Sequence, residues 1–301
     1  MRNQKPVAAV IAAGVLWGVI SIFINRLSAA GLDSLQISLV RMAVSALAFT
    51  VTAAVTDVKK LKIRLRDIWM FIGTGIVSVV LFNVCYFYTI VHSEASVAVV
   101  LLYTSPIFIL LISAFLFHER ITPKKVAALA MTFGGCVLVA GVLGGGVSLT
   151  PFVFMTGLGS GLFYALYTIF GRFALARYDT VTVTAYTFIF GFLGSLPLGK
   201  AGRVAAIVKQ QPELIIWCLG LGIICAVLPY FLYTWGLQRM ESGKAAILVA
   251  VEPLVGAVVG MTVYHESHSP LKLCGIVLIL GAIILLNLND KPAEAALQRE
   301  K

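Results

Sequence analysis

The stretch AAILVAVEPLVGAVVG, Ala245 to Gly260, carries one acid in an otherwise apolar run. Of the 13 acids in the chain, Glu252 alone falls in the middle of such a run. On insertion scales a charged carboxylate there costs about 2.5–3.5 kcal/mol, so a function is the first expectation for it. Two chemical roles suit it. It can take and release a proton, or it can pair with a cationic group on a ligand. A structural bond to another helix, with Arg41 as the partner, is the competing reading. Pro253 follows directly, and a proline removes a backbone hydrogen bond and tends to open a helix nearby. The helical face running from Glu252 through Gly256 to Gly260 is narrow enough to let a neighbour or a ligand come close.

The other polar groups carry weaker signals. Arg41 is the one base inside an apolar run, near its start, where packing or snorkelling to the interface is the expected role. Glu119 and Glu266 stand beside His118 and His265 at the ends of two runs and are expected to cap or to pair with neighbouring loops. His-Glu here is not HExxH, because Thr122 and Ser269 occupy the last position, so no metal site is expected. Cys85, Cys136, Cys218, Cys225 and Cys274 all lie in apolar runs with no CxxC pair, which predicts buried free thiols. The glycine-rich GVLGGGVSL at 141–149 lacks the GK[ST] ending of a phosphate-binding loop. No cofactor and no direct ATP drive are expected. Aromatic residues gather in particular runs: Trp17; Tyr86 and Tyr88 near Asn83; Tyr103; Tyr164 and Tyr167; Tyr230, Tyr233 and Trp235. Asn83, Tyr86 and Ile90 share one helical face. An aromatic wall with a few polar tips suits a small molecule, and one with a carboxylate suits an ammonium group.

The elements that must position these groups are membrane helices. Of the 301 residues, 60% are hydrophobic and 12% charged, far from a soluble composition. The apolar residues form ten blocks: 7–25, 36–56, 68–91, 95–117, 125–144, 151–171, 180–199, 213–237, 244–264 and 271–289. Each is long enough to cross a bilayer as a helix, and no barrel-like alternation is present. The formal net charge of +10 follows from basic loops rather than from a nucleic-acid surface. Of the 23 Lys and Arg, 17 fall in the termini and in loops 57–67, 118–125, 172–179 and 238–244. Five fall on the other side, and Arg41 lies within a span. This bias predicts a multi-pass protein of the plasma membrane with both termini cytoplasmic.

The chain also repeats itself. LLYTSPIFILLISAFLFHERITP (101–123) aligns without gaps on LVAVEPLVGAVVGMTVYHESHSP (248–270). At that offset Pro106 falls on Pro253, His118-Glu119 on His265-Glu266 and Pro123 on Pro270. Near that spacing Arg26 falls on Arg172 and Asp33 on Asp179. Residues 1–146 and 147–301 are therefore read as two repeats of five spans each. An odd number of spans turns the second copy upside down, which is a device of secondary transporters.

On these paired stretches, each a mid-helix proline followed by a span-ending Glu, the chain resembles the ten-span drug/metabolite transporter superfamily, in its EamA-like branch. The resemblance covers about residues 7–289. It implies an all-α bundle of ten helices around a central cavity, walled by the first, third, fourth, sixth, eighth and ninth spans. It implies transport of small organic solutes such as amino-acid-like zwitterions or amines, with export the expected direction and a proton as the candidate coupling ion. The Glu–Pro pair recurs in that family across differing substrates, which also supports a structural Glu252. The expected wall is Trp17, Asn83, Tyr86, Tyr103, Tyr164 and Tyr230 around Glu252, with Pro106 and Pro253 bending their helices at matching depths. Membrane lipids are the expected surroundings, and monomer and homodimer both stay open. A lipid flippase or a membrane-embedded enzyme is the alternative, although no nucleophile triad or metal set supports an enzyme.

Overall fold

The computed structural model describes residues 4–93, 95–141, 150–265 and 270–287, and every regular element among them is helical. Eight helices are long and apolar enough to cross a membrane: α1 Lys5–Ala29, α2 Ser34–Thr56, α3 Leu65–His92, α4 Val97–Phe117, α5 Pro123–Ala140, α6 Pro151–Leu175, α8 Leu214–Leu237 and α9 Ser242–Val263. Two more apolar helices, α7 Thr180–Ser195 and α10 Pro270–Leu286, are shorter. The expected seventh span, 180–199, is thus helical only to Ser195, about 24 Å of rise, and continues as turns to Lys200. A short helix without buried residues, Ala201–Gln210, links α7 to α8. Glu266 and the tail beyond residue 287 lie outside the described residues.

The residues that mark the repeat start and stop helices. Asp33 caps α2: its Oδ1 accepts from the Gln36 amide at 2.9 Å, while Gln36 Oε1 accepts from the Asp33 amide at 3.0 Å. Its counterpart Asp179 caps α7, accepting from the Thr182 amide at 2.7 Å and the Thr182 hydroxyl at 2.8 Å. Burial pushes the Asp179 carboxyl up, but these two donors and Lys60 at 3.4 Å outweigh it and hold it below the ordinary value. His118 and His265 follow α4 and α9 at φ of 53° and 54°. That left-handed turn stops a helix, so the paired histidines mark two matching ends. Pro123 and Pro270 open α5 and α10, where a proline loses no helical bond.

Packing between the halves obeys the same exchange. α1 packs on α8 as α6 packs on α3, and α1 on α9 as α6 on α4. α2 also packs on α7, α4 on α9 and α5 on α10. At the α5–α10 crossing the backbones touch: a Cβ built on Gly275 would lie 2.6 Å from the Gly135 carbonyl oxygen. Without a hydrophobic drive inside lipid, such small-residue contacts are what hold helices together. Three thiols, Cys136, Cys218 and Cys225, are buried as expected, whereas Cys85 is half-buried and Cys274 exposed. Cys274 departs from expectation because α10 lies at the bundle edge, so an apolar run places some of its residues toward lipid rather than protein.

Candidate functional site

α4 and α9 break at matching positions. Tyr103–Thr104 and Val249–Ala250 leave the helix as turns, and new helices begin at Ser105 and Val251. Pro106 and Pro253 thereby fall in a first turn, where the missing N–H would be unbonded in any case. Glu252 becomes the second residue of a helix, Val251–Val263. The partial positive charge of that helix start offsets about 0.3–1 kcal/mol of the cost of its carboxylate.

A glycine braces each break. A Cβ on Gly14 of α1 would come within 2.7 Å of the Val249 carbonyl oxygen, and one on Gly18 within 2.8 Å of the Glu252 carbonyl oxygen. Gly161 of α6 meets the Leu101 carbonyl oxygen at 2.9 Å, and the Thr104 hydroxyl, in the same sense. α1 and α6 therefore lie directly against the opened backbones of α9 and α4. α3 and α8 share a second irregularity, a π-helical stretch at Gly73–Val80 and at Ile223–Val227. Such stretches re-aim the side chains that follow, here Asn83 and Tyr230, which are themselves repeat counterparts.

The Glu252 side chain is only half-buried, and no described residue bonds or ion-pairs with its carboxylate. Six groups from six helices lie within electrostatic reach of it: Arg41 of α2, Tyr86 of α3, Tyr103 of α4, Cys136 of α5, Tyr164 of α6 and Tyr230 of α8. Arg41, Tyr86, Tyr103 and Tyr164 are half-buried too. Arg41 turns into the bundle instead of along α2 to the interface: its Nη2 donates to Asn83 Oδ1 at 3.5 Å. Asn83 is held in turn by donation from its Nδ2 to the Val79 carbonyl at 2.8 Å.

Beside this half-open group lies a sealed one. Trp17 and Tyr167 each meet the Tyr230 ring edge-on at 5.1 Å, and Phe188 meets it at 4.9 Å. Tyr167 and Tyr233 bond across α6 and α8, to Thr234 at 2.6 Å and Thr168 at 2.8 Å. The remaining space, lined by Trp17, Ser78, Val79, Phe82, Tyr164, Tyr167, Thr168, Tyr230 and Tyr233, is about 10 Å³. That is room for about one water molecule. Of the six wall residues expected from sequence, Trp17, Tyr164 and Tyr230 line this space. Tyr86 reaches it through Phe82, 5.6 Å away, while Tyr103 and Asn83 stand on the half-open side with Glu252 and Arg41. Sequence reasoning left Tyr167 and Tyr233 out of the wall. The usable signal was the repeat, in which Tyr233 is the counterpart of Tyr86.

The sealed residues lie toward the ends of α6 and α8 that lead to the basic loops. At that end the two halves are also tied by ions. Glu119, buried, accepts from the Ser242 amide at 2.8 Å and the Gly243 amide at 3.2 Å, with Arg172 at 3.9 Å. Lys125 pairs with Glu241 at 2.6 Å, Lys60 with Asp179 at 3.4 Å, and Arg177 with buried Asp67, which also accepts from Tyr178 at 2.6 Å. Every ion pair found among the described residues lies at this end and joins one half to the other. The larger cleft, about 830 Å³, sits here as well, lined by Lys62, Arg64, Arg66, Asp67, Arg177 and Tyr178. It belongs to the loop face and is remote from Glu252.

Residues 4–141 and 151–288 each match the EamA-like transporter family. Among similar proteins, an uncharacterised transporter of Archaeoglobus fulgidus is 26% identical over 92% of this chain and 94% of its own. The probable terminal-alkyne amino-acid exporter of Streptantibioticus cattleyicolor is 25% identical over 95% of each chain. The pseudopaline exporter CntI of Pseudomonas aeruginosa is 30% identical over 70% of this chain and 72% of its own. A crystal structure covering the whole of both chains superposes with a TM-score of 0.76 at 17% identity, which is a likeness of fold.

Proposed function

Since the chain belongs to the EamA-like transporter family, we propose that it exports small organic metabolites by alternating access, with Glu252 as the anchor for their cationic group and the candidate proton carrier. The observation that carries this reading is the carboxylate itself. It stands unpaired among the described residues, half-open, at the start of a broken helix, and within reach of tyrosines from both halves. Discontinuous helices meeting at a repeat interface are where secondary transporters hold substrate. Relatives named for exporting terminal-alkyne amino acids and pseudopaline support an amino-acid-like cargo.

In this reading residues 1–146 and 147–301 are the two five-span units, α7 and α10 cross with the other eight helices, and the units run antiparallel. The basic loops and both termini are cytoplasmic, in the plasma membrane. The ion pairs and the Trp17–Tyr167–Tyr230–Tyr233 layer are then a closed inner gate, and the half-open group around Glu252 faces outward. Purified protein in proteoliposomes preloaded with unlabelled amino acids or amines tests the transport reading. Counterflow of the matching labelled compound is the expected result. No counterflow across a panel of amino acids, amines and nucleobases overturns it.

Orientation has its own test. Single cysteines at Ser34 and Gln210 in a cysteine-free background are expected to react with an impermeant maleimide on intact cells, and one at Thr56 is not. The reverse pattern overturns the orientation. Labelling at both Ser34 and Thr56 overturns the crossing of α2.

A further inference from the structure

Arg41 has more hydrogen-bonding capacity than the protein uses. Its Nη2 makes one long contact, 3.5 Å, to Asn83 Oδ1. Its Nε is buried and has no partner among the described residues. None of their carboxylates lies within ion-pair distance of it, and Glu252 on α9 is near enough to feel its charge without touching it. Two opposite charges thus lie within electrostatic reach of each other without touching, and neither is neutralised by the other. Tyr164 and Tyr230 lie within reach of both. A buried charge without a partner is costly, so a site that keeps two of them apart is suited to a ligand that supplies both partners.

The geometry points to a zwitterion clamp: Arg41 takes a carboxylate and Glu252 takes an ammonium group of the same small molecule. This rests on the reading of Glu252 as the cation anchor and narrows it from amines in general to α-amino acids and their close relatives. The Nη2 hydrogen that Asn83 leaves free, together with Nη1, matches a carboxylate fork, which an ammonium side chain would not. Asn83 fixes the guanidinium from behind, since its own amide is committed to the Val79 carbonyl. The filled site is neutral in its ligand, so the cargo moves no net charge of its own through the membrane field.

The test is a matched panel on purified protein in nanodiscs. Leucine, methionine and tryptophan are each compared with the decarboxylated amine and with the deaminated acid, by calorimetric binding. Wild type is expected to bind each amino acid at least about tenfold more tightly than either partner compound. Arg41→Gln is expected to bring the amino acid down to the affinity of its amine and to leave the amine unchanged. Arg41→Lys, which keeps the charge and loses the fork, is expected to fall between. The ranking in wild type stands whether or not a variant folds. Amines that bind as well as amino acids in wild type, or that weaken equally in Arg41→Gln, overturn the clamp while leaving Glu252 as a cation anchor. If no compound in the panel binds, both readings fall.

Discussion

Glu252→Gln is expected to leave the protein folded and to reduce substrate flux about 10–100-fold. The two halves of that expectation come from the same geometry. The carboxylate has no hydrogen-bond or ion-pair partner among the described residues, so the amide orphans nothing. Gly14 and Gly18 press on the backbone at Val249 and Glu252, which the substitution leaves unchanged. Apparent Tm should therefore move by no more than about 2 °C, roughly the shift from a surface-sized change of a few tenths of a kcal/mol. The flux term is the loss of a charge-assisted bond to a cationic group, about 1.5–3 kcal/mol. Flux in proteoliposomes across an imposed pH gradient separates the two chemical roles. If Glu252 only anchors a cation, the variant transports weakly but still responds to the gradient as wild type does. If it also carries the proton, the response disappears. Unchanged rate, affinity and gradient response would make Glu252 a structural carboxylate, and the proposed function would lose its anchor.

The fold was legible where the sequence carries paired signals. Asp33 and Asp179, His118 and His265, Pro123 and Pro270 recur at spacings of 146 or 147 residues because each pair performs one backbone task, capping, stopping or opening a helix. Pro106 and Pro253 announced the breaks in α4 and α9 for the same reason. Side-chain direction was less legible. Arg41 sits near the start of α2, and one-dimensional position cannot distinguish a base that reaches the interface from one that turns onto Asn83. That choice depends on Asn83, 42 residues away and re-aimed by a π-helical stretch that no residue type in GTGIVSVV announces. Tyr167 and Tyr233 escaped for a related reason. A tyrosine in an apolar run reads equally as belt, packing or wall, and only the Thr234 and Thr168 hydroxyls across the helix pair decide between them.

Glu119→Leu is expected to be the most destabilising single change at the end of the bundle that carries the ion pairs. The carboxylate is 8% exposed and serves three donors: the Ser242 and Gly243 amides at the start of α9, and Arg172 of α6. Arg172 is itself spread over the Leu237 and Met240 carbonyls at 3.1 Å and 2.7 Å, so it holds the end of α8 in the same knot. Leucine fills the volume but leaves two buried N–H groups without acceptors, at about 1–3 kcal/mol each, and removes the guanidinium's counter-charge. A loss of about 3–5 kcal/mol follows, a fall in apparent Tm on the order of 10 °C. Glu119→Gln should cost less, because its one carbonyl oxygen still serves one amide while its NH₂ faces the other donor. The same bond ties the first half, through the end of α4, to the start of α9 in the second. A gate bond must break each time the inner side opens, whereas a bond within one moving unit need not. Glu119→Gln, stable enough to reconstitute, therefore distinguishes a latch from a plain cap. As a latch it should raise labelling of a cysteine placed at Thr234, in the sealed layer, by a membrane-permeant maleimide in inside-out vesicles. As a plain cap it should lower Tm and leave that labelling at the wild-type level. An unchanged Tm for Glu119→Leu would mean that water already satisfies the start of α9, and that this end of the bundle is looser than its ion pairs imply.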